Sequence, residues 1–111
     1  MQIDISNQDG ITILKVTGRM DATTVAEFTE ECQKQIKNGG GRFIVELSGL
    51  EYISSAGLRG ILTIGKASKA AKATLAFCSM QAMVADMFKL SGFTSILSVY
   101  ATLDDALAGM R

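Results

Sequence analysis

Residues 43–58 read Phe43-Ile44-Val45-Glu46-Leu47-Ser48-Gly49-Leu50-Glu51-Tyr52-Ile53-Ser54-Ser55-Ala56-Gly57-Leu58. The first five are an almost unbroken apolar run, the mark of a strand covered by packing on both faces. Residues 48–54 read as a connecting loop. The serine pair then opens a helix that runs to about residue 70, with Leu58, Ile61, Leu62 and Gly65 on its inward side. Lys66, Lys69 and Lys72 lie near its end and suit the negative pole of the helix dipole. A covered strand followed by an amphipathic helix is half of a βαβ unit, so a parallel sheet is expected.

Working outward, residues 2–6 alternate, with Ile3 and Ile5 on one face, and Asp9-Gly10 is a hairpin turn signal. A second strand covers 11–17. Its alternation slips between Ile13 and Leu14, which implies either a bulge or packing on both faces. Gly18 ends that strand, and Met20 falls in a loop, where an exposed apolar residue is a candidate partner contact. Asp21 is the expected N-cap of a helix over 22–38, whose stripe is Val25, Phe28, Cys32 and Ile36. Asn38-Gly39-Gly40-Gly41 stops it.

Toward the other end, Thr74 to Cys78 is a buried strand. Ser79 is the expected cap of a third helix with Met83, Val84, Met87 and Phe88 on its apolar face, ended by Ser91-Gly92. Ile96 to Tyr100 is a short strand, and Thr102 caps a last helix with Asp104 and Asp105 in its first turn. The order ββαβαβαβα predicts the α/β class. A mixed sheet carries an N-terminal antiparallel hairpin, then alternating α/β units with helices packed on the sheet.

Composition narrows the functions. The 111 residues suit one domain, 1–111, with 48% hydrophobic and 20% charged residues. Eleven basic residues balance eleven acidic ones, so nothing global draws the chain to nucleic acid or an anionic membrane. Histidine is absent, which removes Ser-His-Asp and Cys-His nucleophile systems and His-based metal sites. No metal site or cofactor is expected. Cys32 and Cys78 each sit in an apolar pattern and read as buried, reduced thiols. With no apolar signal core near Met1 and no long apolar run, a cytoplasmic protein is expected.

Several stretches invite a site. Gly60-Ile61-Leu62-Thr63-Ile64-Gly65-Lys66 has the glycine and lysine spacing of a phosphate-binding loop. However, Ala67 replaces the following Ser or Thr, and the stretch lies inside a helix with no free backbone nest. Gly39-Gly40-Gly41 follows a helix, whereas anions bind where a helix begins. Met80, Met83 and Met87 are at helical spacing and read as core. Ser54-Ser55 is the informative pair. A helix cap explains one serine, but not two serines followed by an unencumbered Ala56-Gly57. A hydroxyl there lies beside free N–H groups and the positive end of the dipole, where an added phosphate is held favourably.

At these residues the chain resembles the bacterial anti-sigma factor antagonists, the single-domain members of the STAS class. Gly18-Arg19-Met20-Asp21, Ile44-Val45-Glu46-Leu47-Ser48-Gly49-Leu50 and Tyr52-Ile53-Ser54-Ser55-Ala56-Gly57-Leu58 look like the family's successive motifs. Met87-Phe88-Lys89-Leu90-Ser91-Gly92-Phe93 and Asp104-Asp105-Ala106-Leu107 continue the likeness over nearly the whole chain. The resemblance implies a STAS-like fold and a partner switch without catalysis. The unmodified protein binds an anti-sigma factor that is also a serine kinase of the HATPase type. Phosphorylation releases it, and a PP2C-type phosphatase reverses the modification. Alignment on Gly57-Leu58 gives Ser55 as acceptor, with Ser54 as second choice. Met20, Asp21, Ser54, Ser55, Ala56, Gly57 and Leu58 are the expected partner surface, and Glu46 stands where the family has Asp or Asn. Two rivals differ in class: a scaffold of the same fold that is never phosphorylated, and an enzyme with Ser55 as covalent nucleophile, which the absent histidine disfavours.

Overall fold

Asp9 and Gly10 carry φ of 55° and 78°, the double positive that a two-residue type I′ hairpin requires. They join β1 (Gln2–Gln8) to β2 (Ile11–Met20) as an antiparallel pair in the computed structural model, which describes all 111 residues. Then follow α1 (Val25–Lys37), β3 (Arg42–Ile53), α2 (Ser55–Ala70), β4 (Thr74–Cys78), α3 (Ala82–Leu90), a 3-10 turn (Phe93–Ser95), β5 (Ser98–Tyr100) and α4 (Leu103–Met110). The sheet order is β1-β2-β3-β4-β5, and every pair after the hairpin is parallel. The mixed α/β class is as the sequence predicts.

Strands added in one direction by crossovers of one hand put the connecting helices on one face. Phe28 and Cys32 of α1, Leu58, Ile61 and Ile64 of α2, and Val84 and Phe88 of α3 accordingly share a core with Leu14, Val45 and Phe77. The last helix connects nothing onward and is free to cover the other face. Ala106, Leu107 and Met110 pack there on Ile11, Ile13, Ile44 and Ala76. Ile13 and Leu14 thus face different cores, which accounts for the slip in the alternation of β2 by packing on both faces. Both thiols are free and buried, and burial pushes Cys32 up to about 12.

The bulges lie on β3. Between the pairs Lys15↔Glu46 and Met20↔Ile53, β2 advances five residues while β3 uses seven. The extra residues fall between Lys15 and Thr17 and between Gly18 and Arg19 of the β2 register. Gly49 sits at the first bulge, where a Cβ would lie 2.9 Å from the Thr17 hydroxyl oxygen. This irregularity corrects the expected loop over 48–54: the strand runs through Ile53.

Other boundaries also move. Gly18 does not end β2; it bends within the strand at φ 108°, and Met20 is the strand's last residue. Helix α1 begins at Val25, not at 22, and Asp21 does not cap it. Ser79 has φ 63° and does not cap α3; Gln81 occupies that position, with no side-chain cap bond. Met83 points outward, and β5 starts at Ser98, leaving Ile96 exposed. Thr102 does cap α4, accepting from the Asp105 N–H at 3.1 Å.

Candidate functional site at the start of helix α2

Ser54 follows directly on the last β3 residue, in extended backbone (φ −95°, ψ 177°). Its N–H donates to the Met20 carbonyl at 2.9 Å, tying the end of β2 to the start of α2. Its hydroxyl oxygen accepts from the Gly57 N–H at 3.2 Å. Ser54 is therefore the cap, and its side chain is occupied in holding the helix. Ser55 is the first helical residue and is exposed, and its hydroxyl makes no side-chain hydrogen bond to the protein. At Ser55 and Ala56 the first-turn N–H groups lack intrahelical acceptors and form the positive pole of the helix.

Gly57 is buried beneath this turn. A Cβ there would lie 2.7 Å from both the Met20 carbonyl oxygen and Ile53 Cγ1, so a side chain would push α2 off the sheet. Leu58 is 7% exposed and Met20 is fully buried, both in the core shared by α1 and α2. The expectation of Met20 as an exposed contact is thus corrected, since strand pairing to Ile53 turns its side chain inward. Gly57 and Leu58 likewise lie under the surface expected to include them, and shape it from below. Ala56 is partly exposed.

The β2–α1 connection borders Ser54 through the Met20 carbonyl. Asp21 folds back on its own loop: its Oδ1 accepts from the Thr23 N–H at 2.9 Å and from the Thr23 hydroxyl at 2.7 Å. Its own N–H donates to the Thr24 hydroxyl oxygen at 2.9 Å, and that hydroxyl donates to the Arg19 carbonyl. The Thr23 hydroxyl, then the Thr23 N–H, hold the Asp21 carboxyl below its ordinary value of 3.8, so it is charged at neutral pH. Arg19 lies 4.2 Å over the centre of the Tyr52 ring, a cation–π contact on the neighbouring pair of the same ladder. The sequence offers no signal for that pairing, which depends on the second bulge.

Glu46 is not part of this group. It lies five β2 steps back along the sheet, about 16 Å, at the last pair of the β3/β4 ladder. Its carboxylate accepts from the Ser48 N–H within the first bulge. No acidic or basic side chain hydrogen-bonds to the Ser55 hydroxyl. The Gly60–Lys66 stretch is wholly inside α2, and a Cβ on Gly60 would collide with a Val25 methyl, so that glycine serves helix packing. No helix is long and apolar enough to cross a membrane.

These features can be set beside known proteins. Residues 2–106 match the family model for the STAS domain. The chain is 30% identical over 111 residues to the Bordetella bronchiseptica protein BtrV, named as an anti-sigma factor antagonist, covering all of this chain and 96% of that one. An anti-sigma factor antagonist from Mycobacterium paratuberculosis superposes with a TM-score of 0.89 at 19% identity, covering 97% of this chain and 92% of that one. The Bacillus cell fate determinant SpoIIAA in its phosphorylated form gives 0.75 at 16% identity, over 99% of this chain and 100% of that one. The anti-sigma factor antagonist SpoIIAA in its unphosphorylated form gives 0.82 at 17% identity, over 99% and 96%. The chain belongs to the STAS domain family and has the fold of the anti-sigma factor antagonists.

Proposed function

We propose that this chain is an anti-sigma factor antagonist that works by switching partners. Unmodified, residues 1–111 act as one STAS unit and bind an anti-sigma factor that is also a HATPase-type serine kinase. The kinase moves the γ-phosphoryl group of ATP to the Ser55 oxygen. ADP leaves, and the hydroxyl proton passes to a base on the kinase, since no base on this chain contacts Ser55. A PP2C-type phosphatase restores the hydroxyl. The setting is cytoplasmic, and this chain is substrate and competitor, not enzyme.

One observation carries the choice of Ser55. Of two adjacent serines, Ser54 is engaged in the cap, while Ser55 is exposed at the positive end of α2. A phosphate there adds about −1.5 to −2 charge, which the helix pole and free N–H groups accommodate without unfolding. The added charge stands near Asp21, already anionic, across the Met20–Ser54 hydrogen bond. A partner fitted to a neutral hydroxyl then meets a dianion that it must desolvate, a loss of about a hundredfold or more in affinity. Glu46, about 16 Å away, adds little to that field. The occurrence of this fold in SpoIIAA, both unphosphorylated and phosphorylated, supports a reversible modification on such a scaffold.

Incubation with the cognate kinase and ATP, followed by mass mapping, tests the site. Phosphate on Ser55 is expected; modification only outside Ser54 and Ser55 overturns it. In kinase binding, Ser55→Ala is expected to bind and Ser55→Asp to lose about a hundredfold. Equal binding by the two removes the charge mechanism and favours a scaffold that is never phosphorylated.

A further inference from the structure

The far half of α2 borders a second surface, independent of Ser55. Two adjoining hollows of about 240 Å³ each run between α2 and the segment 96–98. Leu62, Gly65, Ile96 and Leu97 give an apolar floor, and Lys66 and Lys69 stand along the helix wall. The floor is held rigidly. Phe93 is buried edge-on against Phe88 at 5.6 Å, and its carbonyl accepts from the N–H groups of Ile96 and Leu97 at 3.1 and 2.8 Å. A Cβ on Gly65 would lie 2.9 Å from Leu97 Cδ2, so this glycine lets Leu97 seat against the helix. With Phe93 anchored inside, Ile96 is held outside at 61% exposure. Among the large hydrophobic side chains only Leu90, at 81%, is more exposed, and Ile96 differs from it in standing on the rim of a groove.

Charge decides what fits. No acidic residue lines either hollow. Lys66 and Lys69 are three residues apart, on one helix face, with Lys72 beyond them. None of the three is paired: the chain's one ion pair joins Arg111 to Asp9. A chain of zero net charge thus presents a local cluster of unpaired cations beside an open groove that is apolar at Leu62, Ile96 and Leu97 and lined also by Ser68, Thr74 and Ser98 toward its far end. A second copy would bring the same lysines toward its twin, and like charges oppose that association.

We infer that this groove docks an amphipathic helix of a partner protein, with aliphatic residues at helical spacing against Ile96 and Leu97 and Asp or Glu side chains facing Lys66 and Lys69. Lys66 lies eleven residues along α2 from Ser55, about 16 Å, so a partner held here is not automatically released by charge at Ser55.

The test uses the whole chain and a fluorescein-labelled helical peptide of about fifteen residues, Leu at i, i+3, i+4 and i+7 with Glu flanks. A twin peptide carries Lys for Glu. Anisotropy and amide chemical-shift mapping are read together. The Glu peptide is expected to move the signals of residues 62–69 and 96–98 and to weaken with added salt. Ile96→Asp and the pair Lys66→Glu, Lys69→Glu are each expected to cut its affinity at least about tenfold, and the charge-reversed pair to prefer the Lys twin. Ser55→Asp is expected to leave binding unchanged, which separates this surface from the Ser55 switch. All these positions are exposed, and an unchanged circular dichroism spectrum confirms that the variants fold. Equal binding of both peptides, shifts mapping elsewhere, or no shifts overturn the inference. So does a wild-type dimer dissolved by Ile96→Asp, or phosphatidylserine vesicles competing away the Glu peptide.

Discussion

Helices α1 and α2 start at the same end of the sheet, one after β2 and one after the parallel β3, and their first turns are built differently. Ser54 keeps extended backbone and its oxygen accepts from the Gly57 N–H, so a single residue separates the end of the strand from the start of α2. Asp21 accepts on its carboxylate from the Thr23 N–H and hydroxyl and on its carbonyl from the Thr24 and Val25 N–H groups, closing a turn of its own, and α1 begins only at Val25 behind a Thr24 that makes no side-chain cap. The Thr24 hydroxyl, which stands at the cap position, accepts from the Asp21 N–H and donates to the Arg19 carbonyl, so the oxygen that would cap α1 is spent on the loop. The tight start leaves Ser55 exposed on the helix, while the loose start holds a fixed negative charge on the connection that Met20 ties to Ser54.

The strongest challenge to this contrast comes from beneath it. Met20→Ala removes a fully buried side chain that supports both helix starts and is expected to cost about 2–5 kcal/mol, read as a lowered midpoint in urea. A surface contact would cost almost nothing, so a silent substitution breaks the account of the junction. Gly57→Ala comes next, at about 1–3 kcal/mol, because its methyl meets the rigid Met20 carbonyl and Ile53. The serine pair sharpens the distinction: Ser54→Ala is expected to cost about 1 kcal/mol as a lost cap. Ser55→Ala should stay within about 0.5 kcal/mol in the same denaturation series. Reversed values would exchange their roles. The smallest effect concerns Asp21. Its depressed value means that its stabilising contribution is present above pH 3.8 and is lost as pH falls through the folded value. Thr23→Val is expected to raise the Asp21 value in a carboxyl NMR titration, and no movement would detach the aspartate from the turn.

How much of this is legible in the chain depends on whether a signal is local. Ile44 and Val45 announce a doubly covered strand, Asp9-Gly10 a hairpin and Thr102 a cap, because each needs only its near neighbours. The second half of β3 is hidden, since two bulges break its alternation and only pairing with β2 reveals it. Met20 misleads for the same reason: the end of β2 is defined by its partner, not by Gly18. Ser79 and Asp21 both carry capping chemistry, but the Ser79 backbone is left-handed and Asp21 closes a turn of its own before α1 begins.

The sequence by itself determined the element types, their order, the parallel winding and the serine pair at a helix start, because hydrophobic period, turn chemistry and capping act over a few residues. Tertiary structure alone decided which serine is engaged and which is open. It also drew Met20 inside, brought Asp21 beside Ser54, and left Ile96 out in front of two lysines. Those outcomes depend on strand register and on helix approach at Gly57 and Gly65, where the spacing of atoms distant in the chain selects among conformations that are locally equivalent.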